Sequence, residues 1–182
     1  MKKFLIISGA AILIIGGYIV YRVLDSKQLS PKKTTTFSYS GLDLKVVYCS
    51  PSKRGRVIFG DSASKALVPY GKFWRLGANE ATEITLSKDV SIDGKPLKAG
   101  SYRLYAVPKE LTWEISFNSE LGKWGYDEPD YSKDILKVEM PVEKALSEME
   151  QFTISFNNEA TRVNMNFDWD KTHVRVPLST NP

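Results

Sequence analysis

SYRLYAVPKELTWEISFN, residues 101–118, is the stretch on which the fold turns. Its second half alternates cleanly. Trp113, Ile115 and Phe117 fall on one side and Thr112, Glu114 and Ser116 on the other, the period of two that marks a half-buried strand. The first half, Ser101 to Val107, sets Tyr102, Leu104 and Ala106 against Arg103, Tyr105 and Val107. Upstream, Glu83 to Leu86 and Val90 to Ile92 are short apolar pieces, separated from this pair by the turn dipeptide Asp93-Gly94 and by Lys98-Ala99-Gly100. Downstream, Ile135 to Met140 ends at Pro141, Gln151 to Asn157 alternates on Phe152, Ile154 and Phe156, and a turn at Asn157 to Ala160 leads into Thr161 to Trp169 and then Thr172 to Val176. Only Val142 to Met149 has helical composition. Near the start, Phe37 and Tyr39 precede Gly41, and Leu42, Leu44, Val46 and Tyr48 share a face that breaks at Ser50-Pro51. Ser52 to Arg56 is a basic turn, Val57 to Phe59 a brief strand, and Asp61 to Leu67 one helical turn capped by Asp61 or Ser62. Many short strands between turn signals predict an all-β domain, an antiparallel β-sandwich of jelly-roll-like form, and not βαβ units.

One segment obeys neither period. Leu67 to Thr82 carries Tyr70, Phe73 and Trp74, together with Pro69, Gly71 and Gly77. A loop with three large rings would expose much apolar surface in water, so it is expected to fold back onto the domain as a long ordered element.

Charge and length bound the rest. A chain of 182 residues fits one domain plus an N-terminal segment. The formal charge is +4, but without Lys2, Lys3 and Arg22 there remain 22 basic residues against 21 acidic ones. No Lys/Arg stripe of the kind that displaces counterions from nucleic acid is present, so nucleic acid is excluded as a partner. The lone Cys49 has no internal disulfide partner, does not follow a lipid-anchor signal, and reads as a small core residue. From Phe4 to Tyr21 the chain is uncharged, close to the roughly 20 residues that span a bilayer, and no small-x-small cleavage site follows. Residues 1–24 are therefore expected to be an uncleaved transmembrane helix, a signal-anchor that meets the inner membrane through residues 4–24. Residues 25–33 read as a tether, 34–178 as the sandwich domain and 179–182 as a tail. Lys2 and Lys3 favour an inside N-terminus, whereas Arg22, Lys27, Lys32 and Lys33 pull the other way, so charge alone leaves the side open.

Several motifs point to a family. Tyr48-x-x-Pro51, Arg54-Gly55-Arg56-Val57-Ile58-Phe59-Gly60, Leu67-Val68-Pro69-Tyr70-Gly71 and Trp74-Arg75-x-Gly77-Ala78-Asn79-Glu80-Ala81-Thr82 occur in that order. Gly94-Lys95-x-Leu97-x-Ala99-Gly100-x-Tyr102 and the Trp113 strand follow. Over nearly all of Thr34 to Pro177 the chain resembles the bacterial envelope family known as domain of unknown function 2911. That resemblance implies an exported protein of Bacteroidetes-like bacteria, with the domain outside the cytoplasmic membrane on the periplasmic side. It implies no catalytic residue.

Candidate chemistry gathers on the irregular loop. Arg75, Asn79 and Glu80 beside Tyr70 and Trp74, with Arg54 and Arg56 in a nearby turn, are the groups a glycan- or carboxylate-binding cleft uses, rings stacking on the ligand while polar groups orient it. The competing reading is an internal polar network that satisfies the loop's own backbone. An extracytoplasmic hydrolase acting on glycans would use Glu80 with Arg75 and Asn79, pairing Glu80 with Asp61 or Glu83 as acid and base. The run Trp124 to Asp134 offers oxygen ligands for calcium, but without EF-hand spacing it reads first as a polar surface loop. His173, the only histidine, is expected to face solvent with Arg175 and builds no zinc site. Serine-nucleophile elbows and phosphate-cradling loops are missing, and no cofactor is expected.

Overall fold

The structure is a computed structural model that describes residues 13–21 and 28–180. Eleven strands dominate: β1 (Lys32–Tyr39), β2 (Leu42–Cys49), β3 (Phe59–Gly60), β4 (Val68–Pro69), β5 (Thr82–Leu86), β6 (Val90–Ile92), β7 (Lys95–Leu97), β8 (Gly100–Pro108), β9 (Thr112–Asn118), β10 (Asp134–Glu159) and β11 (Arg162–Ser179). Nine of them form one large antiparallel sheet in the order β1-β2-β5-β8-β9-β10-β11-β6-β7, while β3 and β4 make a short parallel pair. The alternation in the sequence explains the inner face. Leu42, Leu44, Val46 and Tyr48 of β2, and Trp113, Ile115 and Phe117 of β9, are all buried in one core. At Asp93-Gly94 both residues have positive φ, the conformation a tight primed hairpin turn demands.

The sheet curls on itself. Tyr48 in β2 accepts a hydrogen bond from the Ile154 amide of β10 at 3.1 Å, Thr35 in β1 donates to the Ile154 carbonyl at 3.1 Å, and Phe37 stacks on Phe156 at 6.0 Å. The first strand therefore returns to the far half of β10, and rings from distant strands share one interior. Phe152, Phe167 and Trp169 meet Trp113 and Tyr48 there.

Three sequence expectations change. The segment Val142–Met149 is strand, not helix: Val142 to Lys144 pair with β11, and register shifts follow before Met149 and Thr153. Val142, Ala145, Leu146 and Met149 have the i, i+3, i+4, i+7 spacing of a helical stripe, but pairing with β11 overrides that local pattern. Pro141 does not end a strand. It sits where β10 exchanges its pairing with β9 for pairing with β11, a place where a missing N–H is cheaply accommodated. Likewise Thr161–Trp169 and Thr172–Val176 are one strand, kinked at Asp170, whose φ is 56°.

At the N-terminal side β1 begins at Lys32, inside the expected tether, and the Pro31 carbonyl accepts from Ser50 N at 2.9 Å. Residues 13–21 are helical and exposed. Among the described residues no helix is long and apolar enough to cross a membrane, and most of the expected transmembrane segment lies outside those residues.

Candidate functional site

The irregular loop docks as a substitute strand. β5 stops pairing with β8 at Thr82 opposite Leu104, and beyond that point the loop takes over: Trp74 and Ala106 exchange both backbone hydrogen bonds at 2.8 Å, and Gly71 N donates to the Pro108 carbonyl at 2.8 Å. Period two then applies locally. Trp74 points inward, 6% exposed, against Phe59, Trp113, Phe152 and Trp169 with centroids 5.0–5.9 Å away. Its neighbours Phe73 and Arg75 are half-buried on the outer side. Gly77, at φ +149°, lets the loop pass the end of β2; a Cβ there would stand 2.6 Å from the Cys49 carbonyl oxygen.

On the outer side lies a cleft of about 540 Å³, walled by Leu67, Pro69, Phe73 and Arg75 from the loop and by Tyr126, Asp127 and Glu128 from the segment before β10. Gly125 brings that segment close: its N–H donates to the Asn79 carbonyl at 3.0 Å, and a Cβ on it would lie 2.6 Å from Arg75 Cδ. Among the described residues the Arg75 guanidinium has no hydrogen-bond or ion-pair partner. Burial, and secondarily the positive charge of Arg103, lower its proton affinity, while Tyr126 acts the other way.

Beneath the cleft, β8 is buried on both faces, because Phe73 and the chain between β9 and β10 roof its outer side. Phe73 and Tyr131 pack on Tyr105 with centroids 5.5 and 6.0 Å away. Tyr105 donates to Asp134 Oδ2 at 2.7 Å, and Asn118 donates to Asp134 Oδ1 at 2.8 Å. Burial pushes the Tyr105 phenol well above its ordinary range. Arg103, 1% exposed, donates through Nη2 to the Asp127 carbonyl and sits with its guanidinium carbon 5.8 Å from the centre of the Phe73 ring. Its Nε and Nη1 have no partner among the described residues.

The expected site residues do not converge. Arg75 and Trp74 both line the cleft, but the Trp74 ring is 6% exposed and packs in the core, so it is not an exposed stacking platform. Tyr70 stands outside the cleft, on the side of Asp61 and Glu110; burial, and then those charges, raise its phenol. Asn79, at φ 53°, directs its amide to the Ser30 carbonyl at 3.5 Å. Glu80 accepts from the Cys49 thiol at 3.1 Å and stands 4.0 Å from Lys32. Burial, then the bond to Glu80, pushes the Cys49 thiol up to about 11. Arg56 folds back onto the Lys53 and Ser52 carbonyls, the Arg54 backbone N–H donates to Glu150, and neither arginine lines the cleft. That basic turn is fixed to β10 and β11 by Lys53, which reaches Glu148 and Asp170.

The proposed acid partners of Glu80 are engaged elsewhere. Asp61 caps a 3₁₀ turn over Ser62–Ser64, and Glu83 accepts from Gly122 N at 2.6 Å. In the 124–134 segment Asp130 caps a second such turn and Glu128 accepts from Tyr131, and among the described residues no three metal-ligating side chains converge. His173 is not solvent-facing: its ring, 18% exposed, pairs with Asp168 at 2.7 Å. Sequence reasoning missed Phe73, Arg103 and Tyr126 as site residues. The signal lay in Tyr105, a large ring on the face of β8 that simple alternation assigns to water.

Residues 30–178 match the family described as protein of unknown function (DUF2911). No curated protein and no solved structure matches the chain.

Proposed function

Since the chain belongs to the DUF2911 family of proteins of unknown function, and so inherits no named activity, we propose that its domain is a non-catalytic binding module of the cell envelope. It takes a small anionic ligand, such as a carboxylate or an acidic glycan, in the cleft beside Arg75. In this reading residues 4–24 hold the protein in the inner membrane with the domain on the periplasmic side, and the curled sheet serves as a two-layer, jelly-roll-like sandwich that carries the cleft. The location rests on the uncharged run from Phe4 to Tyr21 and on the resemblance to exported proteins.

One observation carries the ligand class. Arg75 is half-buried in a cleft of about 540 Å³, beside Phe73 and Tyr126, without a carboxylate partner among the described residues. A guanidinium moved from water without a counter-charge is costly, and an incoming carboxylate relieves that cost with two parallel hydrogen bonds. The cleft is also of ordinary size for a small-molecule site. Against catalysis stand the positions of Asn79 and Glu80, which turn toward Ser30, Cys49 and Lys32 and not into the cleft with Arg75.

Calorimetric titration of the full chain in detergent with glucuronate and with glucose tests the reading. Binding of the acid alone, lost in Arg75→Gln at an unchanged melting temperature, is the expected result. Equal binding of both sugars, or an Arg75→Gln variant that binds like the parent, would overturn it.

A further inference from the structure

We propose that the cleft is built for a dianionic group of the phosphomonoester kind, because a second guanidinium, Arg103, stands at its back without an ion-pair partner among the described residues. This rests on the assignment of the cleft as an anion site. Arg103 is 1% exposed, and both Nε and Nη1 lack a hydrogen-bond partner among the described residues. Its one bond runs to the carbonyl of Asp127, a wall residue, and its charged end lies against the Phe73 ring, another wall residue. The guanidinium is therefore behind the cleft lining and in contact with it.

Among the described residues no carboxylate forms an ion pair with it. Glu120, Asp127 and Glu83 act on its charge only from a distance: Glu120 is held by Asp130 N at 2.9 Å and Lys133 at 3.0 Å, Asp127 offers it a backbone carbonyl, and Glu83 is held by Gly122 N. A buried cation left unpaired costs several times what an exposed one does, so folds rarely keep one without a ligand to meet it. Arg75 and Arg103 also repel each other across the wall. A ligand with two negative charges offsets that repulsion, whereas a monoanion answers one guanidinium and leaves the other. Asp127 and Glu128 stand at the mouth and oppose an anion. Both are exposed, where water weakens their repulsion, while Arg103 acts through a less polar medium. Phe73 is the shared residue: its ring lines the cleft and lies 5.8 Å from the Arg103 guanidinium carbon.

The test uses two probes that share a ring and differ in charge, phenyl phosphate and benzenesulfonate, titrated into the full chain at pH 8. Phenyl phosphate is expected to bind at least about tenfold more tightly, since it gains a second charge-assisted contact. Arg103→Met is expected to bring the two probes to near-equal affinity while benzenesulfonate binding stays within about twofold of the parent, and Arg75→Gln to weaken both. A parent that binds the two probes equally, or an Arg103→Met variant that keeps the full preference, overturns the proposal. If Arg103→Met does not fold, phosphorus resonance on the parent decides. Bound phenyl phosphate is expected to ionise at least about one pH unit below its ordinary value near 6, and an unshifted ionisation overturns the proposal. Binding of glucuronate without preference for phenyl phosphate would sink this inference and leave the anion site standing. Failure of all three acids would sink both.

Discussion

Single residues set the cleft's shape. Gly125 has little space for a side chain, since a Cβ would stand 2.6 Å from both Arg75 Cδ and the Asn79 carbonyl oxygen. Gly125→Ala is expected to cost about 1–3 kcal/mol in urea unfolding, the range for forced overpacking, and to weaken anion binding because the arginine is pushed aside. Cys49 makes a second prediction, in pH. Its thiol is raised from 9.0 to about 11, first by burial and then by the bond to Glu80. The folded state keeps that proton longer than the unfolded chain does, so the stabilisation is full below pH 9 and is lost as pH rises through about 11. The loss attributable to this group is roughly 2–3 kcal/mol at about 1.4 kcal/mol per unit. A stability profile of Cys49→Ala from pH 8 to 11 should therefore fall less steeply than that of the parent. An identical slope in the two proteins would show that the thiol is not the group responsible.

Elements show where local pattern governs and where pairing overrides it. β9 was legible on its core face, where Trp113, Ile115 and Phe117 pack, and at Thr112 and Glu114, which remain half-exposed; Ser116, assigned to the same polar side, is fully buried. β8 was legible on one face only. Arg103 and Tyr105 are as buried as Leu104, because a roof from the 119–134 segment and Phe73 covers them, and no local period encodes a cover supplied from elsewhere in the chain. The helical reading of Val142–Met149 failed for the matching reason: its partner, β11, lies beyond any local window. Leu146 in that stretch is fully exposed. Leu146→Lys should change stability by no more than about 0.5 kcal/mol by urea titration, with a far-ultraviolet spectrum that stays β-type. A loss of several kcal/mol would mean that the stretch packs as a helix does.

For the whole molecule, the irregular loop is a structural member as well as one wall of the cleft. Trp74 joins rings from β9, β10 and β11, so Trp74→Ala should cost about 3–5 kcal/mol by thermal or urea unfolding, the range for a large aromatic removed from a core. Its presence in the loop was plain from the sequence, but its direction was not, since irregular backbone has no period until it borrows one from a neighbouring strand. The candidate residues were legible as a set and misjudged as a constellation. Arg75 faces one side of the loop while Asn79 and Glu80 face the other, a division created by Gly77 and the left-handed backbone at Leu76 and Asn79.

That division has a mechanical side. The rear of the loop is laced to the stem of the domain: Asn79 to the Ser30 carbonyl, Glu80 toward Lys32, and the end of β2 to Pro31 through Ser50. Stem and cleft thus share one joint. A force applied through residues 28–31 loads the back of the arginine-bearing segment before it loads the body of the sheet.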